Sequence, residues 1–69
     1  MKNNVTQRLL RIKDVMRATG ISKSYIYALA KEGKFPKSIR LVKGGSAVCW
    51  NASDVEQWIS DCIANQEEA

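Results

Sequence analysis

The 69-residue chain has no histidine. The commonest general base and the commonest metal ligand are therefore missing. Cysteine is scarce, and Cys49 and Cys62 show no CxxC spacing. They frame neither a zinc site nor a disulfide scaffold. They read as small apolar side chains of a reduced, cytoplasmic protein. No apolar run approaches the roughly 20 residues of a membrane helix. The N-terminal stretch MKNNVTQRLL has no apolar core of a secretory signal. No glycine-rich phosphate loop opens a helix after a strand, and no base stands ready to activate a serine. A chain this short buries only about 60% of its unfolded surface, which leaves little room for an enclosed pocket. These absences argue against an enzyme, a cofactor, a small-molecule substrate and a membrane.

What is present is charge, unevenly placed. The net charge is +4, and all eleven Lys and Arg residues lie between Lys2 and Lys43. Only Asp14 and Glu32 oppose them there, so residues 1–50 carry +9. The remaining nineteen residues hold five carboxylates and no Lys or Arg, for −5. A polyanion is the natural partner of such a cationic body. The apolar fraction of 45% is that of a globular domain. Residues 1–7 read as a disordered tail, 8–64 as one folded domain and 65–69 as an acidic tail.

Periodicity orders the domain. Ile12, Val15, Met16 and Thr19 recur at helical spacing, which predicts a helix over about residues 13–18. Leu9 and Leu10 before it form a brief strand or simply pack. Gly20 suits a left-handed turn, and Ser22 is a good N-cap for a second helix that stops at Gly33. Residues 39–42 and 47–50 read as two strands joined through Lys43-Gly44-Gly45-Ser46. Ser53 with Glu56 forms a capping-box pattern for a third helix from Asp54 to about Ile63. Its stripe of Val55, Trp58, Ile59, Cys62 and Ile63 predicts a core face, with Trp58 and Trp50 both in the core. The expected architecture is mainly α with a small β-hairpin: a winged helix-turn-helix of helix-turn-helix, hairpin wing and C-terminal helix.

The second helix divides into two faces. Leu29 and Ala30 lie within about 60° of Ile26, and the three predict core. Ser24, Tyr27, Ala28 and Lys31 lie opposite, forming a stripe suited to phosphates and base edges. Lys23 adds charge beside free backbone N–H groups at the helix start. Tyr25 reads as core edge. Lys34, Lys37 and Arg40 lie within range of the same surface, with Arg40 outward if Ile39 and Leu41 face inward. The tip at Lys43, Gly44, Gly45 and Ser46 reads either as a phosphate clamp or as a turn that simply needs glycine.

Three stretches in order, TGISKSYIY, FPKSIRL and CWNASDVEQWI, resemble the AlpA-like small prophage regulators. Those belong to the wider excisionase and MerR-type winged-helix group, and the resemblance spans residues 8–63. It implies a regulator of a prophage or integrated element that binds double-stranded DNA near an integrase promoter. It further implies contacts from Ser22, Lys23, Ser24, Tyr27 and Lys31, and from the wing at Lys43 to Ser46. Relatives often carry Arg where this chain has Ala28 and Ser46. Two other readings remain at this point. One is an excisionase-type factor that bends DNA, and the other is a protein-docking antirepressor. A homodimer or a cooperative array on DNA fits so small a domain.

Overall fold

The computed structural model describes residues 8–68, and the tail expected at 1–7 lies outside the described residues, as does Ala69. Three helices and three short strands follow in the order β1 (Leu9–Leu10), α1 (Ile12–Thr19), α2 (Lys23–Lys31), β2 (Ile39–Arg40), β3 (Val48–Asn51) and α3 (Ala52–Glu68). This is a helix-turn-helix followed by a hairpin wing and a C-terminal helix. The pair Leu9–Leu10 does form a strand. It pairs antiparallel with β3, Leu10 opposite Trp50, so the sheet order is β1-β3-β2. Both hairpin strands are shifted or shortened relative to the sequence expectation, because the turn claims Val42 onward through a Gly45 N–H donated to the Val42 carbonyl at 2.8 Å.

The tight turn between α1 and α2 rests on Gly20. Its φ of 75° is left-handed, and its N–H donates to the Met16 carbonyl at 2.7 Å. Glycine takes that conformation without the Cβ clash of other residues. Thr19 contributes twice: its Oγ1 donates to the Val15 carbonyl at 2.8 Å and accepts from the Ile21 N–H at 3.3 Å. Helix α2 then begins at Ser22, whose Oγ accepts from the Tyr25 N–H at 3.3 Å. A cap of this kind contributes about 1 kcal/mol. The far end closes on Gly33, φ 77°. There the Lys34 N–H donates to the Leu29 carbonyl and the Gly33 N–H to Ala30, the two bonds of a Schellman motif.

The core is built from Val15, Ile26, Phe35, Trp50 and Val55, with Leu10, Ile12, Met16, Ile21, Leu29, Ala30, Val48, Trp58 and Ile59 packed around them. Each of α1, α2, β3 and α3 supplies a fully buried side chain, and Phe35 comes from the loop between α2 and β2. Burying a side chain such as Ile26 contributes about 1.5–3 kcal/mol, so a domain this small depends on every one of them. Trp50 is fully buried and Trp58 partly so. Their indole N–H groups hold the loop after α2 from two sides. Trp50 Nε1 donates to the Pro36 carbonyl at 3.0 Å and Trp58 Nε1 to the Lys34 carbonyl at 2.7 Å. Phe35 sits between these anchors, edge-to-face with Trp58 at 4.8 Å.

Helix α3 departs from expectation at both ends. It starts at Ala52, and Asn51 does the capping: its Oδ1 accepts from the Ser53 N–H at 2.9 Å and from the Ser53 hydroxyl at 2.7 Å. Ser53 already lies inside the first turn, so the Ser53–Glu56 pattern is not the cap. The helix also continues past Ile63 to Glu68. Nothing in Ala64-Asn65-Gln66-Glu67-Glu68 breaks a helix, since neither glycine nor proline occurs there. The apolar stripe is core only in its first half. Val55 is buried, Trp58 and Ile59 are half-buried, and Cys62 and Ile63 stand exposed beyond the reach of the sheet.

Candidate nucleic-acid interface

The exposed side of α2 comprises Lys23, Ser24, Tyr25, Tyr27, Ala28 and Lys31. With Ile26 buried and Leu29 and Ala30 half-buried, the helix presents a polar face opposite the core, as its spacing predicts. The two tyrosines exchange the places expected of them. Tyr25 is 57% exposed and Tyr27 39%. The Tyr27 ring leans on Trp50 with centroids 5.8 Å apart and planes tilted by 54°. Tyr25 is therefore the freer ring, and the core-edge place falls to Tyr27. At 100° per residue Tyr25 adjoins Ala28 on the far side of the stripe. The small Ala28 leaves space beside a ring that carries a hydroxyl able to donate and accept. Ser24 and Lys31 continue the same face. The Ser22 hydroxyl already accepts a backbone bond as the cap, which leaves it a lesser contact than Ser24.

The wing is a hairpin in which Ile39 lies opposite Cys49 and Arg40 opposite Val48. Opposed residues share a face. Ile39 thus shares a face with Cys49, which is fully buried, yet is itself 42% exposed, and Leu41 is 45% exposed. Neither reaches the burial that a fully inward placement would give. Arg40 is exposed, but its guanidinium is engaged: Nη1 donates to the Gly45 carbonyl. It braces the wing tip. Lys43, Gly44 and Ser46 are exposed at that tip and Gly45 is half-buried.

Lys37 lines an open groove of about 530 Å³ between the 33–37 loop and α3, shared with Lys34, Trp58, Asp54 and Asp61. The two carboxylates weaken the pull of that groove on phosphate. Lys34 also pairs with Glu32 at 3.6 Å, and Arg17 with Asp14 at 3.3 Å. Both pairs are exposed, so each is worth little in stability. Among the described residues Lys23, Lys31 and Lys43 have no carboxylate within ion-pair distance. The residues that sequence reasoning missed are Tyr25 as an outward ring, Phe35 as core and Asn51 as a cap. The spacing of Tyr25 from Ile26 carried a signal for the first. None marks Phe35, a loop residue buried against Trp58 from a distant helix. No described helix is long and apolar enough to cross a membrane.

With this geometry in place, comparison with known proteins gives a consistent result. Residues 8–63 match the model of the family described as prophage CP4-57 regulatory protein (AlpA). The chain is similar to the uncharacterized protein ORF88 of Enterobacteria phage P4, with 40% identity over 65 residues, or 93% of this chain and 72% of that relative. No solved structure matches the chain. The family is regulatory rather than enzymatic, and its model covers the helix-turn-helix, the wing and the buried half of α3. The chain belongs to the AlpA family of prophage regulatory proteins.

Proposed function

We propose that this prophage regulator acts by binding double-stranded DNA in a sequence-specific way, with α2 in the major groove and the wing against the flanking backbone. Its target would be a promoter of the prophage or integrated element, such as that of an integrase gene, and its working place the cytoplasm. The observation that carries this reading is the outer face of α2. Tyr25, Ser24 and Lys31 stand exposed on the second helix of a helix-turn-helix, within a segment whose net charge is +9. A face meant only for water has no use for an exposed tyrosine ring, and a protein-docking face has no use for so large a cationic surplus. Lys23, Lys31 and Lys43 grip phosphate, while Tyr25, Ser24 and Lys31 meet base edges. Ser22, Tyr27, Lys37 and Ser46 border this surface. Pairing of copies on adjacent half-sites fits a domain that covers little DNA alone.

Fluorescence anisotropy of a labelled duplex over a salt series tests the reading. If about five cations neutralise phosphates, log K falls against log[salt] with a slope near −4 to −5, at about −0.9 per phosphate. A slope near zero, or no binding at low salt, overturns it. An excisionase-type factor would instead protect a long cooperative array in a footprint. An antirepressor would bind no duplex.

A further inference from the structure

Helix α3 outruns the core it belongs to. Its first half packs through Val55, Trp58 and Ile59. The helix then continues to Glu68, with Cys62 exposed and Ile63 57% exposed. From the half-buried Ile59 these two stand at i+3 and i+4, so the three form one apolar strip that prolongs the core stripe into solvent. A single apolar side chain on a surface is ordinary, whereas neighbours continuing a core stripe mark a contact surface. The charge around the strip is of one sign. At 100° per residue Glu56 falls beside Ile63, and Asp61 on the side of Cys62. Both carboxylates are exposed, and Gln57 Nε2 holds Asp61 Oδ1 at 2.9 Å. No Lys or Arg follows Lys43 in the sequence.

We infer that the Ile59–Cys62–Ile63 face of α3 docks another protein, and that its partner there is a basic amphipathic helix, apolar on one side with Lys or Arg on the flanks. Charge decides the occupant. A nucleic acid is repelled by an end of the chain that holds five carboxylates and no cation. Two α3 helices packed strip to strip would set carboxylate against carboxylate with no cation between them, which disfavours a symmetric pair of copies. The cationic body of a second copy has little to offer either. Arg17, Lys34 and Arg40 are engaged within the chain, and Lys23, Lys31 and Lys43 are the cations that the DNA-binding reading above spends on phosphate. That last step alone rests on that reading. A cationic helix from a different protein meets both features, burying its apolar side on Cys62 and Ile63 while its flanks meet Asp61 and Glu56. The face would then stay free for a protein while α2 holds DNA.

The test uses the full chain and a labelled peptide of about 20 residues, with leucine at i, i+3, i+4 and i+7 and lysine on both flanks. A control peptide has the same composition in scrambled order. Binding is read by anisotropy, and contact by the rate at which neutral iodoacetamide alkylates Cys62, since Cys49 is buried. At ten times its Kd the peptide occupies about nine tenths of the chain, so alkylation is expected to slow about tenfold. A cationic peptide that is merely attracted stabilises the thiolate and speeds the reaction instead. Ile63→Ser should weaken the peptide by about tenfold, and the Glu56→Gln, Asp61→Asn double variant should flatten its salt dependence. Both variants should keep the wild-type circular dichroism and duplex affinity, because these side chains are exposed. Unchanged or faster alkylation at saturating peptide overturns the docking face. So does equal protection by the scrambled peptide, or an Ile63→Ser chain that binds the peptide as the wild type does. Sedimentation that shows a dimer of the chain alone, lost in Ile63→Ser, gives the face to a second copy and overturns the proposal too. Loss of the DNA-binding reading shows separately, as no anisotropy change of a labelled duplex at low salt.

Discussion

The ring of Tyr27 rests on the ring of Trp50 at 5.8 Å and ties helix α2 to the central strand β3. Tyr25, two residues earlier and about 160° away round the helix, keeps more of its surface in solvent than Tyr27 does.

A division of labour between the two tyrosines follows. Tyr27→Ala removes a tilted aromatic contact worth about 0.5–1.5 kcal/mol beyond its buried area. Its urea midpoint is expected to fall, and its affinity for specific and random duplexes to fall together. Tyr25→Ala is expected to leave the urea midpoint unchanged. It should narrow the ratio of specific to random binding by about 1–3 kcal/mol, the range of one good base contact. Equilibrium unfolding and anisotropy on two duplexes measure both. The opposite pattern would assign the reading role to Tyr27.

The loop after α2 makes a second prediction. Trp58 both packs edge-on against Phe35 and donates to the Lys34 carbonyl. Trp58→Phe keeps a ring but loses the hydrogen bond, and it should cost about 1 kcal/mol. Trp58→Ala should cost about 3 kcal/mol, the low end for a core aromatic because the ring is only partly buried. A core of this size supplies about 3–5 kcal/mol in all, so circular dichroism of the Ala variant should show a largely unfolded population. A Trp58→Ala chain as stable as the wild type would remove the indole from the core.

The element order was legible in the sequence because its punctuation is local. Gly20 and Gly33 sit where left-handed φ is required, Ser22 is a true cap, and Ile26 with Leu29 and Ala30 marks the inner face of α2. What escaped depended on partners far away in the chain. Cys62 and Ile63 follow the helical period of Val55 as well as Trp58 does. Periodicity cannot say where the opposing sheet ends, and there the stripe becomes surface. Ile39 and Leu41 alternate as strand residues should, yet Ile39 stays 42% exposed opposite a fully buried Cys49, which alternation alone does not foretell. The partner of Arg40 is a carbonyl five residues on, which no pattern of side chains announces.

The start of α3 gives a third prediction. Asn51 ends β3 and caps the helix through its Oδ1. Asn51→Ala should destabilise the domain by about 1 kcal/mol, the usual worth of a cap, and Asn51→Asp should retain most of it. Ser53→Ala removes only the hydroxyl donated to Asn51 and should cost less than Asn51→Ala. Thermal unfolding of the three variants ranks them. If Ser53→Ala proved the most harmful, the capping box at Ser53 and Glu56 would be the cap after all.

The last prediction separates the two cations of the wing. Lys43 is exposed at the tip with no carboxylate near it among the described residues, whereas Arg40 is spent on the Gly45 carbonyl. If Lys43 meets a phosphate, Lys43→Ala weakens specific and random duplexes alike and makes the salt slope shallower by about 1. Phosphate contacts hold position and carry little sequence information, so the specificity ratio should not move. Arg40→Ala deletes the same formal charge but frees the tip. Its salt slope should therefore change by much less than that of Lys43→Ala, although affinity falls because the tip must be ordered anew on binding. The two variants and a salt series in anisotropy decide the matter. Equal loss of slope in both would mean that Arg40 leaves Gly45 on binding and grips phosphate itself. A shallower slope for Arg40→Ala alone would exchange the roles of brace and clamp.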